Sequence, residues 1–253
     1  VARATRARPS GAKGKSQATA YERFVNNLFF GPSGGGKTHL LGTAALDERT
    51  APIALLDFEG GVLDVLTGLP GQGTDWVHIP ISNWADFNEA YARLDENDEG
   101  FKSAGVDSIS ETHIFALLNL LEDGKPSREK EPDLIQEGDY GTALVQLRRL
   151  VRKFRDLPMH TFFTAHDREI RHPREGLVTV PSMAGKASTE VPGLMTLVGY
   201  LALSENEEGD TERVLLLQNY AKIRTKVRMP WGTEAPDELV NPSMTDVLNA
   251  LQV

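Results

Sequence analysis

The sequence predicts an α/β fold: a mainly parallel central sheet with helices on both faces. Three observations carry that reading. Gly31-Pro32-Ser33-Gly34-Gly35-Gly36-Lys37-Thr38 is a complete G-x-x-x-x-G-K-[ST] phosphate-binding loop, set between a strand-like and a helix-like stretch. Pro52-Ile53-Ala54-Leu55-Leu56-Asp57 is continuously apolar until its terminal acid, the pattern of a strand covered on both faces. Strand-like and helix-like stretches then alternate along the chain, which favours parallel pairing through helical crossovers.

Residues 25–30 form the first strand and residues 38–46 the first helix. Between them, glycines let backbone N–H groups wrap a phosphate without a Cβ in the way. The helix N-terminus adds partial positive charge. Lys37 reaches for the β- and γ-phosphates and Thr38 for Mg²⁺. After the 52–57 strand, Phe58-Glu59-Gly60-Gly61 is a turn at its C-terminal end. Residues 76–81 form a short strand. Trp84, Phe87, Tyr91 and Leu94 recur at helical spacing over 84–97 and read as core.

Residues 103–108 form a weaker strand ending near Asp107. The next helix spans 109–121, with Ile114, Leu117, Leu118 and Leu121 expected on one face. Residues 122–140 are polar, contain two prolines and two glycines, and read as a long loop. Residues 142–157 form an amphipathic helix whose polar face carries Arg148, Arg149, Arg152, Lys153 and Arg155. A strand over 159–165 ends at His166, and a second loop is expected over 167–186. Further strands follow over 197–203 and 214–218. A hairpin-like stretch then contains Lys222-Ile223-Arg224, and 244–251 is a short helix.

Charge is unevenly distributed. The chain carries −9 overall, yet residues 1–20 hold Arg3, Arg6, Arg8, Lys13 and Lys15 and no acid. Without those five charges, residues 21–253 carry −14, which argues against a large uniform nucleic-acid surface. Two units are expected: a basic, disordered arm over 1–23, and one domain over 24–253. No apolar run approaches ~18 residues, so no transmembrane helix and no membrane partner is expected. The absence of cysteine excludes disulfides and thiolate catalysis and suits a reducing cytoplasm.

Two acids stand where nucleotide chemistry needs them. Asp107, at a strand end, is the candidate second Mg²⁺ residue beside Thr38. Glu59, directly after a buried strand, is the candidate that orients or deprotonates the attacking water. Asp57, two residues earlier, is a second choice. The six histidines show no ligand spacing, so nucleotide-bound Mg²⁺ is the metal expected. No G-x-S-x-G context supports a serine hydrolase.

In order along the chain stand the phosphate loop, then Leu55-Leu56-Asp57-Phe58-Glu59-Gly60-Gly61-Val62-Leu63-Asp64, Val106-Asp107-Ser108, Phe163-Thr164-Ala165-His166 and Lys222-Ile223-Arg224. This ordered set resembles the RecA-type P-loop ATPase core. More closely, it resembles the minimal phage recombinase and single-strand annealing proteins, over roughly residues 24–235. The resemblance implies a RecA-like core that binds ATP and Mg²⁺. Glu59 matches the catalytic glutamate, Asp107 the acid of the second nucleotide motif, and His166 a residue sensing the γ-phosphate. It implies two DNA-binding loops, at 122–140 and 167–186, the second carrying Arg168, Arg171, Arg174 and Lys186 as phosphate contacts. Lys222 and Arg224 match cations that reach a neighbouring subunit's nucleotide, with Lys226 and Arg228 continuing their strand face.

Implied partners are single-stranded DNA, further copies of the chain in a ring or filament, and a single-strand binding protein. The implied setting is the cytoplasm of a bacterial host to a phage. The chain departs from the bacterial recombinase in having about 20 residues after the core and no recognisable oligomerisation segment before it. A phosphotransferase acting on a small molecule, and a nucleotide-binding adaptor of a replication or packaging assembly, remain open alternatives.

Overall fold

Every residue of the first strand, β1 (Asn26–Gly31), is buried, because helices cover the sheet on both sides of it. The computed structural model describes residues 23–122, 137–183, 185–218, 220 and 222–253. Residues 1–22 of the expected arm, and most of the expected 122–140 loop with Lys125, Arg128 and Lys130, lie outside the described residues. Arg23, the last residue assigned to the arm, donates to the carbonyls of Leu251 (2.7 Å) and Arg228 (3.1 Å).

After β1 come α1 (Lys37–Gly42) with a 3-10 turn (Thr43–Leu46), β2 (Ile53–Asp57), α2 (Val62–Leu66), β3 (Trp76–Pro80) and α3 (Trp84–Glu96). Next are β4 (Ser103–Asp107), α4 (Ile109–Glu122), α5 (Glu137–Arg155), β5 (His160–His172) and β6 (Gly176–Pro181). The chain continues through α6 (Ala187–Glu190), β7 (Leu197–Glu205), β8 (Thr211–Leu216), β9 (Lys226–Val227), β10 (Glu238–Val240) and α7 (Met244–Ala250).

The sheet order is β10-β8-β7-β1-β5-β4-β2-β3. Strands from β7 through β3 are parallel, while β8 and β10 close one edge antiparallel. Strand alternation sends side chains to two separate cores. Leu28, Phe30, Leu56 and Phe163 pack with α3 and α5, whereas Phe29, Leu55, Phe162 and Leu201 pack with α1, α2 and α7. Asn83 caps α3 by accepting from the N–H groups of Ala85 and Asp86, and Ser243 with Asp246 forms a capping box on α7.

Three expectations are corrected. Most of the expected 167–186 loop, residues 167–181, is regular structure. β5 continues to His172 and pairs antiparallel with β6, so the segment is a hairpin with its tip at 173–175. Residues 137–140, expected in a loop, are already helical in α5. On α4 the buried face is Ile109, Thr112, His113, Ala116 and Leu117, and Ile114 and Leu118 are exposed. An apolar count favoured the Ile114 stripe, but packing against the sheet and α5 selects a stripe that includes polar Thr112 and His113.

Buried His160 opens β5, its ring 5.5 Å from Phe24 and parallel to Phe162, with Val25 N–H donating to Nδ1 (3.3 Å). Burial, aided by nearby Arg49, lowers its pKa from 6.5 to about 4. Below pH 6.5 the unfolded chain takes up a proton that the folded chain refuses until about pH 4. Stability is therefore fully present above the unfolded value and falls with acidification across that window, by up to about 3 kcal/mol. Urea unfolding at pH 7 and pH 5 should show this loss. His160→Gln should show less of it, and an equal loss in both proteins would remove His160 as its source.

Candidate functional site

The phosphate loop sits at the C-terminal end of β1 because its glycines allow a close approach that no side chain could share. A Cβ on Gly31 would collide with the Leu201 carbonyl oxygen of β7. Gly36, which opens α1, is left-handed at φ 91°, a conformation glycine adopts without strain. The buried Lys37 ammonium folds back to donate to the carbonyls of Gly31 (3.0 Å) and Pro32 (2.8 Å). Burial lowers its pKa, against the opposing pull of Asp107, Glu59 and Asp167.

Beside the loop lies a cleft of about 300 Å³, lined by Ser33, Gly34, Gly36, Lys37, Thr38, Glu59, Asp107 and His166 among others. Four different strands deliver these groups to one sheet edge. Asp107 ends β4, and its carboxylate accepts from Thr38 Oγ1 (2.6 Å) and from the Thr164 hydroxyl of β5. Burial raises the Asp107 pKa, while those two hydroxyls act in the opposite direction. His166 lies opposite Gly31 in the β1–β5 register, and its Nε2 stands 3.1 Å from Glu59 Oε1. Ser110 Oγ accepts from the His166 N–H (3.2 Å) and donates to the Ser182 carbonyl, so α4 fixes the base of the hairpin.

Asp57 has a different place from the one its spacing suggested. It is buried, and its Oδ1 accepts from the N–H groups of Glu59 (3.2 Å) and Gly60 (2.8 Å). Its Oδ2 accepts from Val62 N–H (3.1 Å) and lies 3.0 Å from His78 Nε2. These bonds occupy Asp57 in shaping the turn that carries Glu59, and leave it unsuited to be a second acid of the cleft.

The donors at the cleft fit Mg²⁺. A threonine hydroxyl and a carboxylate 2.6 Å apart are hard oxygen ligands, few in number, of the kind Mg²⁺ uses when phosphate and water complete its shell.

The remaining sequence-derived residues lie outside this cleft. On β5, alternation sends Arg168 and Arg171 to opposite faces. Arg168 turns toward α6 and donates to Ser188 Oγ (3.2 Å), while Lys186 is exposed at the start of that helix. Arg171 and Arg174 are exposed at the hairpin, with Glu169 sharing the Arg171 face. The four cations therefore do not form one surface. Lys222 and Arg224 flank Ile223, which bridges to Thr179 of β6. Arg224 pairs with Glu175 at the hairpin tip (2.7 Å). Lys226 does not continue an outward basic edge, since its ammonium caps the carbonyls of Pro192, Gly193 and Met195. Arg228 also donates to Gly193.

Sequence reasoning missed Arg213, a lining residue of the cleft supplied by β8. No local motif marks it, because β8 meets the phosphate loop only through the packing of β7.

Among the described residues, no helix is long and apolar enough to cross a membrane. No curated protein matches the chain. Similar solved structures include a KaiC-like protein from the hyperthermophilic archaeon Pyrococcus horikoshii OT3, at 16% identity and TM-score 0.45, with 81% of this chain and 82% of that one covered. The RadB recombinase is similar at 17% identity and TM-score 0.44, with 76% and 80% covered. An ATPase from the type III secretion system of pathogenic bacteria is similar at 16% identity and TM-score 0.48, with 70% of this chain and 51% of that one covered. A family model described as an AAA domain matches residues 24–229. With that match across most of its length, and a phosphate loop beside the acid that ends β4, the chain belongs to the AAA-domain family and is a P-loop ATPase.

Proposed function

We propose that this ATPase binds single-stranded DNA as an oligomer and promotes annealing or homologous pairing in phage-type recombination. The observation that carries the reading is the course of β5. One continuous strand runs from Thr164 and His166, beside the cleft acids, into the hairpin that exposes Arg171 and Arg174. A nucleotide-dependent movement of His166 therefore has a direct mechanical path to the hairpin residues Arg171 and Arg174.

In this reading Ser33, Gly34, Gly35 and Gly36 wrap the ATP phosphates, and Lys37 leaves its two carbonyl partners to hold the β- and γ-phosphates. Thr38 and Asp107 hold Mg²⁺, which supplies charge neutralisation across the phosphates. Glu59 orients the attacking water and accepts its proton, and His166 registers the γ-phosphate through its contact with Glu59. Lys222 and Arg224 line no part of their own chain's cleft, which suits a role toward a neighbouring subunit's phosphates. The Glu175 pair holds Arg224 in place until DNA engages the hairpin.

ATP hydrolysis titrated with single-stranded DNA, with mass photometry on the same samples, tests the proposal. Stimulation together with assembly supports it. ATP turnover without either redirects the assignment to a small-molecule phosphotransferase or an assembly adaptor. Replacing Arg171 and Arg174 together with alanine should weaken DNA binding and reduce the log–log salt slope by about 1.4, two single-strand phosphate contacts' worth. Unaltered affinity and slope would take the hairpin out of the DNA site.

A further inference from the structure

We infer that Arg213 is a phosphate-binding residue of the nucleotide site, acting in its own subunit on the diphosphate shared by ATP and ADP. The inference rests on the nucleotide-site reading and adds to it a cation from the far side of the sheet.

Four features place Arg213 there. Its side chain crosses directly over Gly36: a Cβ on that glycine would meet Arg213 Cδ at 2.7 Å and Nε closer still. It lines the same cleft as Lys37, Thr38, Glu59 and Asp107. Its backbone is clamped from both sides by Asn241, whose Oδ1 accepts from Arg213 N–H (3.0 Å) and whose N–H donates to the Arg213 carbonyl (2.6 Å). Its guanidinium makes no hydrogen bond or ion pair among the described residues, although the chain is strongly acidic.

A guanidinium that crosses over Gly36 of the phosphate loop and pairs with no carboxylate among the described residues is matched to an oxyanion. Topology indicates which part of the nucleotide it meets. Glu59, Asp107 and His166 come from β2, β4 and β5, on one side of β1, whereas Arg213 comes from β8, on the other. The water-activating groups mark the γ-phosphate end, so Arg213 sits toward the phosphates that remain after hydrolysis. Its absence from any recognised motif follows from this placement. It also ties occupancy of the cleft to the β8–β10 edge through Asn241.

The test is a titration of fluorescent ATP, ADP and AMP analogues into the wild-type protein, Arg213→Ala and Arg213→Lys, with Lys37→Ala as a control for the site. Arg213→Ala should weaken ATP and ADP by the same factor, about tenfold to a hundredfold. Arg213→Lys should recover part of the loss. The nucleotide-free Tm should be unchanged. If that Tm falls, Arg213→Met, which keeps the aliphatic stem over Gly36, carries the comparison instead. Unchanged ADP affinity in a protein that binds ADP would overturn the inference, as would a loss confined to ATP. Wild-type protein that binds no nucleotide would instead overturn the nucleotide-site reading itself.

Discussion

Glu59→Gln should lower ATP turnover by about 10²–10⁴-fold while nucleotide affinity stays near that of the wild type. The substitution keeps the shape of the side chain and removes its capacity to take a proton. Glu59 stands on the turn after β2, lines the cleft with Thr38 and Asp107, and lies 3.1 Å from His166 Nε2. Among the described residues its carboxylate makes no hydrogen bond or ion pair to the phosphate loop, so binding and turnover should largely separate. Steady-state turnover and ADP titration on the same preparation measure both. Turnover that survives the change would move the proton acceptor elsewhere, and no other carboxylate among the described residues lines the cleft except Asp107, which Thr38 and Thr164 already occupy.

Asp57→Ala should lower both stability and turnover, an outcome that separates a turn-shaping acid from a catalytic one. The carboxylate accepts from three backbone N–H groups, those of Glu59, Gly60 and Val62, and lies beside His78. Removing it leaves those donors to find water or remain unpaired, at a cost of about 1–3 kcal/mol for each one that stays buried. A net loss of about 2 kcal/mol is expected in urea unfolding, because Glu59 and Gly60 are exposed and regain water whereas Val62 is buried. Turnover should fall more than tenfold, since the Glu59 backbone loses its anchor and a displacement of about 1 Å is costly in catalysis. Asp57→Asn keeps one acceptor oxygen and should fall between the two. Wild-type stability in Asp57→Ala would sink the turn-shaping role.

Both substitutions act within five residues of sequence, yet only one of the two placements could be read there. The place of Glu59 beside the cleft was legible because a buried strand followed by a glycine-flanked acid is a local pattern. The four bonds that occupy Asp57 depend on how the chain folds back after Gly61 and on β3 bringing His78 alongside. The Glu175–Arg224 pair is similar: 49 positions separate its members, and only the β6 pairing of Ile223 joins them.

The sequence by itself determined the phosphate loop, the mainly parallel α/β architecture and the acids at two strand ends. Each is written in neighbouring residues, as glycines where backbone must approach phosphate and as unbroken apolar runs where a strand is covered twice. Tertiary structure alone decided which face of α4 is buried, that residues 167–181 form a hairpin with Arg168 and Arg171 on opposite faces, and that Arg213 reaches the cleft. Those outcomes depend on register between distant strands. Strand alternation converts a one-residue choice of pairing into a choice of face, and no local pattern records which choice the rest of the sheet will impose.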